Sequence, residues 1–427
     1  MSDLRMCLSR MTNRLRTTGF FSIFLSSVVG KVLTFLGGMI IVRVLTKEDY
    51  GQYTYIINCY GMLFLLNDLG CNVATLQFCN ESYTDIDQRN GLFVYGFSRG
   101  SLFSLITAVL LLLSPLFYPF QDVESARLTQ QLFLVPLIST VNSFLLTNLR
   151  IRLENQRYAR VNVATTLIQY LVILPMSALL GVRGAVWSNY VIQCLVLLYG
   201  LWESRTLLDF SIKASVNREQ KRSFLKLALA SQLNNGLDHT LMLLDVFLIG
   251  LFIGENSVIS SYKVATTIPS ALAFIPSMVM VYAVPYFARN NQNISWVRRN
   301  YFRLILASAV GNFAIAIGGI LLGPWLVPLI FGSQYADAVA CYTILMIGYF
   351  FSATFRVPSA NVIYTQRKIR INLLITLLTG CANCVLDVVL IMKYGSIGAA
   401  WATTGVHMIN SALSFGYMSL YLRRKEL

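Results

Sequence analysis

Gly181-Val182-Arg183-Gly184-Ala185-Val186-Trp187 and Gly395-Ser396-Ile397-Gly398-Ala399-Ala400-Trp401 share the pattern G-x-x-G-A-x-W. The second copy begins 214 residues after the first (181 to 395) in a chain of 427. Each copy stands between two long apolar runs, 161–182 with 184–203 and 371–392 with 396–422. Upstream of each lies a second shared pattern, Q-R-x-x-R-x-N, at Gln156–Asn162 and Gln366–Asn372. Two matches in the same order point to an internal duplication, with period far beyond that of a solenoid repeat. The expected halves are 1–210 and 211–427, joined through the polar stretch 204–223.

Working outward from the repeat, 56% of the residues are hydrophobic and only 12% are charged, about half the usual charged share of a soluble domain. Mean hydropathy is +0.61. Water cannot solvate that much apolar side chain, whereas lipid can. A bilayer-spanning helix needs roughly 20 apolar residues. Twelve stretches qualify: 20–42, 53–79, 92–118, 128–149, 161–182, 184–203, 224–253, 258–287, 301–323, 338–360, 371–392 and 396–422. The first continues too far for the core of a cleaved signal peptide. The fold class expected is therefore all-α, a membrane protein of about twelve transmembrane helices in two six-helix lobes.

The basic residues test this assignment. With the N-terminus inside, 26 of the 34 Lys and Arg fall in inner loops and tails, 6 fall outside, and Lys31 and Arg356 lie within spans. A missed helix would invert every later loop and destroy that asymmetry, so the positive-inside rule supports an even count with both termini cytoplasmic. Six spans per half is also even, so the repeat is parallel. Parallel duplicated bundles set the substrate path between their lobes. The net charge of +15 is dispersed in short clusters, which argues against nucleic acid as a partner. The eight cysteines read as free thiols, Cys381 and Cys384 included, and no metal or cofactor is expected. Residues 4–15 could form an interfacial amphipathic helix or a plain basic tail.

Several short motifs resemble a known family. Arg43-Val44-Leu45 followed by Tyr50-Gly51-Gln52-Tyr53, then Asp68-Leu69-Gly70, Tyr262 with Ala265, and the two G-x-x-G-A-x-W stretches are similar to signatures of the polysaccharide exporters in the multidrug/oligosaccharidyl-lipid/polysaccharide superfamily. Gln77 and Thr267 stand where that family often carries a basic residue. Twelve spans resemble the Wzx-type O-antigen flippases more than the fourteen-span lipid II flippases. The resemblance implies a MATE-like fold. It also implies a function in lipopolysaccharide or other surface-polysaccharide biosynthesis: moving an undecaprenyl-pyrophosphate-linked oligosaccharide from the cytoplasmic to the periplasmic leaflet of a bacterial inner membrane. Partners implied are the lipid-linked sugar, membrane lipids, and a polysaccharide polymerase with its chain-length regulator.

Each ionisable residue inside a span costs roughly 2.5–3.5 kcal/mol on insertion scales, so each is a functional candidate. These are Lys31, Asp68, Asp238, His239, Asp245, Arg356, Asp387 and His407, while Arg99 lies near a span end and can snorkel. A pyrophosphate cannot cross hydrocarbon with its charge bare, and fixed cations can replace its hydration. Lys31 and Arg356 are the candidates for that role, and Asp68 joins them from its family position. Asp238, Asp245, Asp387, His239 and His407 are candidates for a coupling ion, or else compensate the cations. A drug or cation antiporter of the same fold is the alternative function. A membrane sugar polymerase or ligase is a second, disfavoured because the outer loops are short and hold no His.

Overall fold

The computed structural model describes residues 20–82, 85–120, 122–206 and 216–424, without the side chains of 20–29, 234, 235, 237, 238, 241 and 242. The expected N-terminal amphipathic helix lies outside the described residues. The described residues form fourteen α-helices and no strands. They are α1 (Phe20–Val44), α2 (Lys47–Phe64), α3 (Cys71–Glu81), α4 (Ile86–Leu113), α5 (Val123–Gln130), α6 (Val135–Ile151) and α7 (Asn155–Ser204). Then follow α8 (Arg218–Phe252), α9 (Asn256–Leu272), α10 (Phe274–Arg289), α11 (Ile294–Phe331), α12 (Ala338–Phe351), α13 (Val357–Thr365) and α14 (Ile369–Arg424). Seven helical stretches are long and apolar enough to cross a membrane, eight if the bent pair α5–α6 is one span. Ten of the twelve expected spans fall on these stretches, and the other two, 20–42 and 224–253, fall on α1 and α8. The chain is an all-α, multi-pass membrane protein.

The lengths of α7 and α14 explain why the spans outnumber the long helices. At 1.5 Å per residue, the 50 residues of α7 and 56 of α14 would each extend well beyond a hydrocarbon layer roughly 30 Å thick. Both break at the repeat motif. Gly181 has φ 59° and ψ −138°, and Gly395 has φ 61° and ψ −139°, a conformation open essentially to glycine alone. The second glycine of each motif permits a tight reversal. A Cβ on Gly184 would lie 1.9 Å from the Met176 carbonyl oxygen, and one on Gly398 would lie 2.0 Å from that of Leu390. The following alanines, Ala185 and Ala399, are fully buried, whereas Trp187 and Trp401 are exposed, as suits an interfacial belt.

The backbone corrects one part of the repeat. Leu153 and Arg367 both have φ 58°, and α7 and α14 start two residues later, at Asn155 and Ile369. Those pairs, like Gly181 and Gly395, keep an offset of 214 (155 to 369, 181 to 395). The Q-R-x-x-R-x-N match has an offset of 210 (156 to 366), four residues out of register. Gln156 sits in the first turn of α7, while Gln366 caps the end of α13.

Other breaks have local causes. Between α2 and α3 the chain passes through Asp68 and Leu69, both at φ 47°, and Gly70 at φ 76°. A Cβ on Gly70 would meet the Ala228 carbonyl oxygen at 2.3 Å, so α8 packs directly on this turn. The α5–α6 bend comes before Pro136, near the start of α6. Between α12 and α13 a π turn, Ser352–Arg356, displaces the hydrogen-bond ladder, and Ser411 Oγ of α14 donates to the Phe351 carbonyl at 2.9 Å.

Contacts divide the chain into two compact units, Met1–Leu243 and Leu244–Leu427. The first half of α8 thus belongs to unit 1, through buried Phe224 and Ala228 packed with Cys71, Ala74 and Phe144. Apolar side chains such as Leu171 and Leu179 point outward, whereas Asn67, Thr140, Asn312 and Asp387 are buried. That inversion of a water-soluble protein's pattern is what lipid solvation requires.

Candidate functional site

The densest polar feature of unit 2 is built on α14, whose two arms fold back on each other at Gly395. Along the first arm, Thr379, Asn383 and Asp387 recur every fourth residue and so share one face. Along the second arm lie Thr403, His407 and Asn410. Asn410 Nδ2 donates to Thr379 Oγ1 at 3.1 Å, closing one end of the seam.

At the other end stand two carboxyl groups. Asp387 is fully buried and its Oδ2 accepts from Asn383 Nδ2 at 2.8 Å. Asp245, on α8, is also buried, and its Oδ2 accepts from Thr403 Oγ1 at 2.7 Å and from the Tyr262 hydroxyl of α9. The two carboxyls lie within hydrogen-bonding reach of each other, and Asp387 Oδ1 faces no donor. Two carboxyl oxygens brought together away from water require a positive charge between them, a proton or a small cation. Lys263, next to Tyr262, lies within electrostatic reach of Asp245 but makes no ion pair with it among the described residues. Oxygen donors from Asp245, Asp387, Asn383 and Thr403 form a hard ligand set suited to such a cation.

A second polar group of unit 2 is Arg356, with His407 within its electrostatic reach. Arg356 ends the π turn, half-buried, with its Nε donating to Ser352 Oγ at 2.8 Å. His407 packs over Gly348, where a Cβ would sit 3.4 Å from its ring. Thr404 Oγ1 donates to the Ile344 carbonyl at 2.9 Å and holds α14 against α12 there.

Of the other candidates, Lys31 is exposed on α1. That helix docks on α7 through Gly37, where a Cβ would overlap the Tyr170 ring at 2.0 Å, and through the Tyr170 hydroxyl donating to the Thr34 carbonyl at 2.9 Å. Asp68 serves its own turn: Oδ1 accepts from the Gly70 amide at 2.9 Å, and its Cβ lies 3.5 Å from where a Gly100 Cβ would be. His239 is exposed on α8, and the Asp238 side chain lies outside the described residues. The structure therefore brings together Asp245 with Asp387, and sets Arg356 within electrostatic reach of His407. Lys31, Asp68 and His239 belong to unit 1. Sequence reasoning passed over Asn383 and Thr403, and read Tyr262 only as a motif residue. The four-residue spacing Thr379–Asn383–Asp387 was the signal for the first.

The family model described as "Polysaccharide biosynthesis protein" matches residues 40–340. No curated protein matches the chain's sequence. Among solved structures, the fold is shared with a lipid II flippase, MurJ, in an inward closed conformation, at 14% identity and a TM-score of 0.72 over 93% of this chain and 87% of that one. It is also shared with an inward-facing multidrug resistance MATE family transporter of the MOP superfamily, at 13% identity and a TM-score of 0.70 over 92% and 95%. The outward-facing form of such a transporter aligns at 14% identity and a TM-score of 0.62 over 96% and 95%.

Proposed function

The chain belongs to the polysaccharide biosynthesis protein family, and from that premise we propose that it is a flippase, carrying a lipid-linked oligosaccharide across the bilayer by alternating access without covalent chemistry. The observation that carries this reading is the buried Asp245–Asp387 pair, set with Asn383, Thr403 and Tyr262 in a wall of otherwise apolar helices. Such a pair has no packing value that justifies its cost in lipid. It is suited to taking up and releasing a proton or cation as the transport cycle turns.

The transported molecule is an undecaprenyl-pyrophosphate-linked O-antigen unit or related surface-polysaccharide unit, moved from the cytoplasmic to the periplasmic leaflet of a bacterial inner membrane. Lys31 and Arg356 offer positive charge to its head group. The 1–210 and 211–427 lobes rock about the path, with both termini cytoplasmic, and the product passes to a polymerase and its chain-length regulator. A cation-coupled drug antiporter is the second reading, favoured by the same carboxyl pair.

Reconstituted vesicles discriminate. Protein in liposomes should deliver a fluorescent undecaprenyl-pyrophosphate-linked sugar from one leaflet to the other, and Lys31→Ala should slow delivery at least tenfold at equal protein level. Drug efflux without sugar-lipid movement would establish the antiporter instead. Wild-type flipping by Lys31→Ala would remove Lys31 from the mechanism.

A further inference from the structure

A separate cationic cluster lies at the foot of unit 1. Tyr95 sits nine residues into α4. The Arg99 guanidinium carbon lies 5.5 Å from its ring centroid, and the Lys221 Nζ lies 5.7 Å from the same centroid. The arrangement follows from packing. Gly96 leaves room for Phe224, whose ring would lie 3.1 Å from a Cβ there and which meets the Tyr95 ring edge-on at 5.3 Å. Phe224 is fully buried and anchors the start of α8. Lys221, one turn earlier on α8, is thereby brought over Tyr95.

Two cations on one ring repel each other, and among the described residues no anion pairs with either. Neither the Arg99 nor the Lys221 side chain makes an ion pair or hydrogen bond among the described residues, and neither does the Tyr95 hydroxyl. Asp68 lies nearby but its carboxylate is turned to the Gly70 amide. Three other arginines of unit 1 are matched, Arg160 at 3.3 Å from Glu203, Arg157 at 3.6 Å from Glu154 and Arg183 at 2.8 Å from Glu124, while Arg150 and Arg205 each lie over a ring, that of Tyr158 or Trp202, without a second cation on it. The 28 residues of α4 span roughly 42 Å, about 12 Å or eight residues more than a hydrocarbon layer of roughly 30 Å, so with that excess at its start Tyr95 stands at the hydrocarbon boundary and Arg99 one turn further in, from where its long side chain snorkels back toward the lipid phosphates.

We infer that Tyr95, Arg99 and Lys221 form a phosphate-binding site that takes the phosphate or diphosphate head group of a lipid at the membrane edge. A guanidinium, an ammonium and a phenol, all with open donors, match an anion rich in acceptor oxygens and relieve the repulsion across the ring. If the lipid is the transported one, the site is its first station before Lys31, and that assignment rests on the function proposed above. If it is a structural phospholipid, the chemistry is the same.

The test uses full-length protein in phosphatidylcholine nanodiscs, titrated with undecaprenyl pyrophosphate in one arm and phosphatidylglycerol in the other, with bound lipid counted by native mass spectrometry. Arg99→Gln and Lys221→Gln should each weaken one of these lipids at least tenfold, and Tyr95→Phe less, with melting temperature unchanged because both cations are exposed. Loss confined to the pyrophosphate supports a substrate station, and loss confined to phosphatidylglycerol supports a phospholipid site. Wild-type binding of both lipids by an Arg99→Gln/Lys221→Gln double variant overturns the site, even where liposome flipping shows the transport reading to be sound. Conversely, wild-type protein that fails to flip but binds phosphatidylglycerol through these residues sinks the transport reading and leaves the site standing.

Discussion

Asp387→Asn is the sharpest test of a coupling ion. The substitution keeps the side-chain shape and the 2.8 Å contact with Asn383, with the amide oxygen accepting, and removes one of two facing carboxyl charges. A monovalent cation about 4 Å from one carboxylate gains roughly 4 kcal/mol at an effective dielectric constant near 20. Losing that attraction corresponds to about a thousandfold in affinity. The same change removes the like-charge repulsion, so the variant should fold at least as well as the parent. The assay is melting temperature in detergent against sodium concentration and against pH. A ligand at a hundredfold excess over its dissociation constant stabilises the native state by about 2.7 kcal/mol, readily visible as a shift in melting temperature. Wild type should show the shift with one of the two ions and Asp387→Asn should show none, together with lost gradient-driven flipping. A variant retaining the parent's ion-dependent shift would refute the carboxyl pair as the coupling site.

Gly184→Ala and Gly398→Ala each press a methyl group into a main-chain oxygen at 1.9 and 2.0 Å, so both should collapse yield of monodisperse protein, whereas Gly311→Ala, with open space around it, should not. Equal size-exclusion profiles for all three would show that the reversal at the repeat motif is looser than described. Glu203 is buried beside Arg160 and accepts from the Tyr199 hydroxyl at 3.2 Å. Glu203→Gln should cost about 1–2 kcal/mol, because Arg160 is largely exposed and water screens the pair; an unchanged melting temperature would show that the pair contributes nothing.

Much of the architecture was legible because lipid imposes strong rules on a sequence. Apolar runs, the Lys and Arg asymmetry and the repeated glycines all report constraints that act residue by residue. What the sequence concealed was pairing. Asp245 and Asp387 each announced their cost, but nothing in a linear chain says that α8 and α14 bring them together. Asn383 and Thr403 are neutral, so no insertion cost flagged them. Asp68 stood out as a charge within a span, yet its carboxylate satisfies the turn its own neighbours create. Arg99 read as a snorkelling cation and Lys221 as one more inner-face charge, because the ring that unites them becomes visible only once Phe224 docks α8 on α4.

The duplication itself separates scaffold from function. In the 214-residue register, Thr379 corresponds to Thr165, and each hydroxyl donates to the carbonyl four residues earlier at 2.8 Å. Scaffold features thus recur between the halves. Asp387 corresponds to Ile173, and both are buried, at 0% and 4% exposure. Asn383 corresponds to Gln169, and Thr403 to Asn189, whose side chain only bonds back to the Ala185 and Val186 carbonyls of its own helix. The first half therefore builds the same helical hairpin with an isoleucine where the second carries a carboxyl group. Packing at that position is satisfied by hydrocarbon, so the charge in the second half meets a demand other than folding. A carboxyl retained in a membrane helix against a cost of about 3 kcal/mol, in one half of a duplicated scaffold, is what the proposed function asks of a coupling-ion site carried by unit 2 alone.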